Sequence, residues 1–376
     1  MTGWVPLSVL PNISLQNAVE GGFAALVPHD DPRVTSLCRA HPVLQSFLSK
    51  FTDAFGAPVY PSIILLRDNA PDRFRNIDAI ASFRDAIAIS ALSRSRTLDL
   101  IYKRTGTRAR WSNSFSLYPW MLSKDHQHLI ATTPAFLGLH EVRKFRGQSS
   151  PEVPEVTLDT FDFDMPLLNE LLRRWRRRYS GASARWPDQA LYRSLNMANQ
   201  AAQLPAGIDT TFYDVGRNLA LWVSAFEILA HPRVAQSGVL KVYELFERVN
   251  WQIRDVGRRR YKTNNGRLKN PPRRNLACWI YSEIYDARNA FLHGNRVTQK
   301  NLTIQHSGRG LIEFAVPLYR LALTGFLQLN WSKPVPSYQD NPKLFGKYVS
   351  ERGDFESAQG KVEQALLKAR QSAEDD

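Results

Sequence analysis

The chain has 376 residues, of which 43% are hydrophobic and 11% aromatic, enough apolar mass for two or three packed domains and too much for a disordered chain. Its 49 Lys and Arg stand against 35 Asp and Glu, a formal charge of +14 that favours polyanions through counterion release and makes nucleic acid the natural partner. Only Cys38 and Cys278 are present, with no CxxC pair, which excludes a disulfide scaffold and a cysteine-ligated metal site.

Residues 1–146 read as a mixed α/β domain of open role. Its first residues lack the basic start and apolar run of a signal peptide, so a cytoplasmic protein is expected. Pro42 to Phe55 reads as a helix, with Leu44, Phe47, Leu48, Phe51 and Phe55 at steps of three and four and Pro in a favoured first position. Tyr60 to Arg67 reads as a short buried strand, and Arg73 to Ser93 is rich in Ala and Ile at helical spacing. Leu98 to Tyr102, Trp111 to Tyr118 and His128 to Thr132 read as further strands. His126 and His128 alternate and would share a strand face, but no carboxylate or Cys cluster accompanies them, so they read as a surface pair. No glycine-rich phosphate loop is present, and no metal or cofactor is expected.

Residues 147–160 form the best linker, since Gly147 to Glu155 is polar and carries two prolines. The segment 161–331 reads as helical. Asp164 suits the N-cap of a helix from Met165 to Tyr179, whose end, Arg173 to Tyr179, sets five arginines beside two aromatics; these would hold single-stranded RNA or form a solvated basic face. Helices follow at Pro187 to Gln203 and Thr211 to Ala230. The second is apolar on two faces yet contains Glu227, which either is buried and pairs with Arg288 or His293 or simply reaches solvent.

Val239, Val242, Phe246, Val249 and Ile253 mark another amphipathic helix. The segment Arg254 to Arg274 follows as a basic loop, in which Arg258, Arg259, Arg260, Lys262, Arg267, Arg273 and Arg274 would guide an RNA backbone or form a disordered charged insertion. It leads into Leu276 to Asn295, where Leu276, Ile280, Ile284, Ala287 and Phe291 form one apolar helical stripe and Gly294 is the terminator. Ile312 to Leu329 is apolar but carries Glu313, Pro317, Arg320 and Gln328, so it reads as a buried helix and not a membrane span. Residues 332–376 form a proline-containing segment and a charged helical tail from Glu356 to Arg370.

Outside the stripe of the 276–295 helix lie Tyr285, Asp286, Arg288, Asn289 and His293. Cleavage of RNA through its own 2′-hydroxyl needs a proton-transfer group and a fixed cation for the phosphorane charge, roles that suit His293 and Arg288. The two are five residues apart, about 140° around a helix, so both reach one substrate only if Arg288 bends across or a second subunit contributes. Asn289, one turn before His293, suits orientation of the imidazole or donation to a phosphate oxygen. Spacing alone leaves the ordinary reading open, in which Arg288 is a surface cation and His293 complements the helix end.

The run 286–294, Asp-Ala-Arg-Asn-Ala-Phe-Leu-His-Gly, resembles the Arg-Asn-x-x-x-His signature of HEPN domains, especially the Apea-like branch, and Leu221 to Leu229 resembles that branch's helix with an acidic residue in an apolar run. The resemblance covers the second half of the chain. It implies an α-helical HEPN-like bundle after the N-terminal domain, α+β overall, that forms a homodimer with the Arg-His helices facing each other. It also implies a metal-independent endoribonuclease, a toxin or phage-defence effector, in which Arg288, Asn289 and His293 are catalytic and Glu227 takes the acidic position; a toxin would be held inactive by an inhibitory partner or by its own N-terminal domain. Some members of the family are non-catalytic RNA-binding or protein-interaction modules, which is the alternative.

Overall fold

The computed structural model describes residues 3–53, 55–102, 109–119, 121–122, 129–133, 136–139, 155–181, 185–204, 210–234, 238–263, 271–293 and 295–371. His126, His128, Gly147 to Pro154 of the linker, Arg267 and Gly294 lie outside the described residues. The fold is α+β. The strands are β1 (Trp4–Leu10), β2 (Ile13–Leu15), β3 (Val19–Glu20), β4 (Ala24–Val27), β5 (Ser62–Arg67), β6 (Met121–Leu122), β7 (Leu129–Thr133), β8 (Phe136–Leu139) and β9 (Val156–Leu158). The helices are α1 (Pro32–Ala40), α2 (Pro42–Leu48), α3 (Ile77–Tyr102), α4 (Met165–Ser180), α5 (Trp186–Ala201), α6 (Phe212–Ala230), α7 (Val239–Glu247), α8 (Arg254–Gly257), α9 (Leu276–Leu292), α10 (Leu311–Leu327) and α11 (Pro342–Leu367).

The chain divides into two compact units: Met1–Ala88, Thr107–Asp162 and Leu172–Ala184 in the first, and Ile89–Gly106, Phe163–Leu171 and Arg185–Asp376 in the second. These units interleave along the sequence, because α3 and α4 each supply residues to both, whereas the reading above drew contiguous segments. The first unit is built on an antiparallel sheet of order β1-β5-β4-β3. Ile63 and Leu65 of β5 pack with Val9, Ala25, Val27, Leu37, Leu44, Phe47 and Phe51, so α1 and α2 cover one sheet face. Trp175 and Tyr179 of α4 are buried in this unit against Phe74, and the Trp175 indole donates to the Ala79 carbonyl at 2.9 Å.

Several elements differ from the sequence reading for local reasons. Leu98 to Tyr102 is helical, as the end of α3. No Gly or Pro interrupts Ile77 to Tyr102, so nothing stops helix propagation into the short alternating run. Trp111 to Tyr118 is no strand. Its Ser-Asn-Ser core forms a 3₁₀ turn at Ser112–Phe115, as residues that compete for backbone hydrogen bonds favour. Helix α2 stops at Leu48 and does not reach Phe55, because the Asp53 carboxylate accepts from the Phe55 and Ala57 N–H groups and builds a turn instead. Helix α7 likewise ends at Glu247, short of Val249 and Ile253. Helix α11 begins at Pro342, fourteen residues before the expected Glu356, with Asn341 as its cap and Pro in the first turn.

In the second unit α6 packs against α5, α7, α9 and α10. Gly325 allows α10 to cross α7 closely, since a Cβ there would fall onto the Leu245 carbonyl. Among the described residues no helix is long and apolar enough to cross a membrane. Arg320, in the middle of α10, is fully buried and its Nε donates to Asp164 Oδ2 at 2.7 Å, with Nη2 on Oδ1 at 3.3 Å. The same carboxylate caps α4 by accepting from the Leu167 N–H at 3.2 Å. Removing it strands a buried guanidinium. Asp164→Ala should therefore lose about 3–5 kcal/mol of stability, read as a lowered urea midpoint, whereas a loss below about 1 kcal/mol would show that water reaches Arg320.

Candidate active site

Helix α9 starts where the Asn275 side chain accepts from the Cys278 N–H at 3.0 Å. Its predicted stripe is the core face: Leu276, Ile280, Ile284 and Ala287 are all buried. Tyr281 is fully buried among aromatic rings, 4.9 Å from Phe226 of α6 and 6.1 Å from Phe246 of α7. Near the other end Phe291 packs over Gly216 of α6, beside Phe212 and Tyr213. A side chain at residue 216 would collide with that ring. Helices α6 and α9 are thus held together along much of their lengths.

This seam brings Glu227 and Arg288 together. Glu227 Oε2 lies 3.5 Å from Arg288 Nη2, and both side chains are 21% exposed. Arg288 Nη1 donates to the Asn289 side-chain oxygen at 2.9 Å, and its guanidinium carbon sits 5.4 Å from the Tyr285 ring centroid. Arg288 Nε and the Tyr281 hydroxyl are buried with no hydrogen-bond partner among the described residues. Burial raises the Glu227 carboxyl above its ordinary range and Arg288 opposes the shift. Burial also raises Tyr281, with the Glu227 charge adding to the effect. Glu283, one turn before Ala287, is raised by burial and then by Asp286.

His293 caps the C-terminal end of α9, its side chain exposed and its N–H donating to the Asn289 carbonyl at 3.0 Å. Asn289 is therefore tied to both partners: its side-chain oxygen accepts a hydrogen bond from Arg288, and its backbone carbonyl accepts one from the His293 N–H. The sequence reading singled out Glu227, Tyr285, Arg288, Asn289 and His293 but missed Gly216. A glycine inside an otherwise apolar helix was the available signal.

The basic segment before α9 is more self-contained than its composition suggests. Arg260 and Tyr261 donate backbone N–H groups to the Arg274 carbonyl, and Arg274 returns one to Tyr261, which closes the loop at its base. Asp255 meets Arg260 at 2.6 Å, Arg258 at 3.7 Å and Arg370 at 3.9 Å, while Glu247 meets Arg274 and, at 3.9 Å, Arg259. Arg274 is half-buried over the Tyr243 ring and serves the fold. Arg258, Arg259, Lys262 and Arg273 keep exposed side chains. In α4, Trp175 and Tyr179 are core residues, so neither ring can stack on a base as the Arg173 to Tyr179 reading required.

No family model, no curated protein and no solved structure matches the chain.

The Glu227 shift makes a signed prediction. Below its ordinary value of 4.5 the carboxyl is protonated in both folded and unfolded chains and contributes nothing. As pH rises the unfolded carboxyl ionises first, so stability falls until the folded one ionises too, and the deficit is then constant. Glu227→Gln lacks this titration. Its melting temperature relative to wild type should therefore rise as pH climbs through 4.5 and then level off, and a relative fall would show that Arg288 outweighs burial.

Proposed function

We propose that the chain is a metal-independent endoribonuclease of the HEPN type, acting on RNA through the 2′-hydroxyl. The observation that carries the reading is the Glu227–Arg288 contact in the α6–α9 seam, which engages the first residue of the Arg288-Asn289-x-x-x-His293 run. Glu227 meets Arg288 at Nη2 and Asn289 accepts from Nη1, and a guanidinium with five N–H donors has others to offer a phosphate. In this reading Arg288 stabilises the charge that develops on the phosphorane. His293 takes the 2′-hydroxyl proton or returns one to the departing 5′-oxygen. The 2′-oxygen bonds to phosphorus as the bond to the 5′-oxygen breaks, leaving a 2′,3′-cyclic phosphate and a 5′-hydroxyl.

The formal charge of +14 and the exposed Arg258, Arg259, Lys262 and Arg273 support an RNA substrate. The 140° offset between Arg288 and His293 supports a homodimer in which each composite site takes one residue from each copy. A toxin or defence role in the cytoplasm, with an inhibitory partner, follows from the family resemblance. A second reading, a non-catalytic RNA-binding or interaction module, is favoured by one fact: Arg288 is already engaged by Glu227 and Asn289.

Purified protein incubated with RNA in excess EDTA separates the two. The nuclease reading predicts cleavage that persists in chelator and falls about 100-fold or more in His293→Ala and in Arg288→Ala. Full activity in His293→Ala, or salt-sensitive binding without turnover, contradicts it.

A further inference from the structure

We propose that a cleft between the α10–α11 connection and α11 binds an unstacked base of single-stranded RNA. The inference rests on the RNA reading above and deepens it. The cleft, about 440 Å³, lies wholly within the second unit and is of a size that binds small organic groups. Its apolar wall is Trp331 and Phe355, with ring centroids 5.9 Å apart at 50°. Tyr348 braces Trp331 from 5.5 Å.

The remaining wall is unusually rich in amides. Gln359 is buried and anchored, donating from Nε2 to the Asn250 carbonyl at 2.6 Å and to Glu363 at 2.8 Å, so its own carbonyl oxygen is not needed for those bonds. The side-chain amides of Asn250, Gln252 and Asn330 are exposed and have no hydrogen-bond partner among the described residues. Each amide offers a donor and an acceptor side by side, the pattern that reads a base edge. The Trp331 indole N–H is buried without an acceptor among the described residues, and an unmet buried donor favours an arriving oxygen or the water it carries.

Planar rings for a base face, amides for a base edge and cations nearby are the three requirements of single-stranded recognition. Lys333 Nζ lies 5.1 Å from the Trp331 ring centroid, and Arg352 lines the cleft, ion-paired to Glu356. A neutral sugar would use the same amides and rings. The charge of the chain favours the nucleic acid.

The test uses the full chain carrying His293→Ala, so that RNA is held without being cut, and a fluorescein-labelled hexaribonucleotide beside an abasic oligonucleotide of equal charge. Adding Trp331→Ala should weaken hexaribonucleotide binding about tenfold and leave abasic binding unchanged. Because Trp331 also packs on Tyr348, the exposed pair Asn330→Ala and Gln252→Ala provides a second variant that spares the fold, with a smaller loss in the same direction and a change in base preference. Hexaribonucleotide affinity unchanged in both variants, no hexaribonucleotide binding at all, or full competition by a neutral oligosaccharide would overturn the proposal. Unchanged affinity, where the same variants with His293 restored still cut RNA, removes the base pocket and leaves the nuclease standing. Trp331-dependent binding in a protein that cuts nothing removes the nuclease and leaves the pocket.

Discussion

The apolar seam between α6 and α9 is the constraint from which the candidate site follows. Burying Phe226 against Tyr281, with Ile284 and Ala287 also in the core, fixes the rotation of both helices, since a turn of about 100° would expose the stripe. Once that rotation is set, the next positions around each helix meet at the edge of the seam, and those positions are Glu227 and Arg288. A carboxylate in that half-buried place would be costly alone, and the guanidinium offsets only part of the cost. The ion pair is thus a consequence of hydrophobic packing, and the packing of Phe291 over Gly216 keeps the end of α9 that carries His293 from swinging away.

The second unit uses a buried pair once more for a different end. Asp164 and Arg320 are almost wholly enclosed, and the carboxylate also caps α4. Glu363 of α11 accepts from the N–H groups of Gln252 and Ile253 and thereby fixes the segment beside the amide-lined cleft. Each of these carboxylates satisfies backbone donors as well as a cation or amide, which is why burial is tolerated. The interleaved units have a practical consequence. A truncation that removes residues 1–146 also removes Ile89 to Tyr102 from the second unit, so loss of function on truncation would not by itself speak to autoinhibition.

Long amphipathic helices were legible because their periodicity carries the information: the α9 stripe, the two-faced α6 and the apolar α10 are where the spacing puts them. The pairing of Glu227 was only half legible, because an acid within an apolar helix either finds a partner or reaches solvent, and spacing does not choose between the two. Short runs were not. Leu98 to Tyr102 alternates like a strand but continues a helix that nothing interrupts, and Phe55 fits a helical step yet is 97% exposed because Asp53 turns the chain first. Composition misled at Arg173 to Tyr179, where the aromatic pair belongs to the core and only tertiary packing could reveal it. It also overstated the free charge of the 254–274 segment, since Asp255 and Glu247 each meet more than one arginine. The amide-lined cleft was invisible because its walls come from residues as far apart as Asn250 and Gln359.

The central claim is that RNA is cut by its own 2′-hydroxyl, and the ends of the products report on it most directly. A short RNA with a single 2′-deoxy substitution at the scissile nucleotide, cut beside its all-ribose parent, should resist cleavage there. The parent's fragments should carry 5′-hydroxyl ends that a kinase labels without prior phosphatase treatment. Cleavage of the deoxy-substituted strand at the same position, or fragments with 5′-phosphate and 3′-hydroxyl ends, would contradict the account.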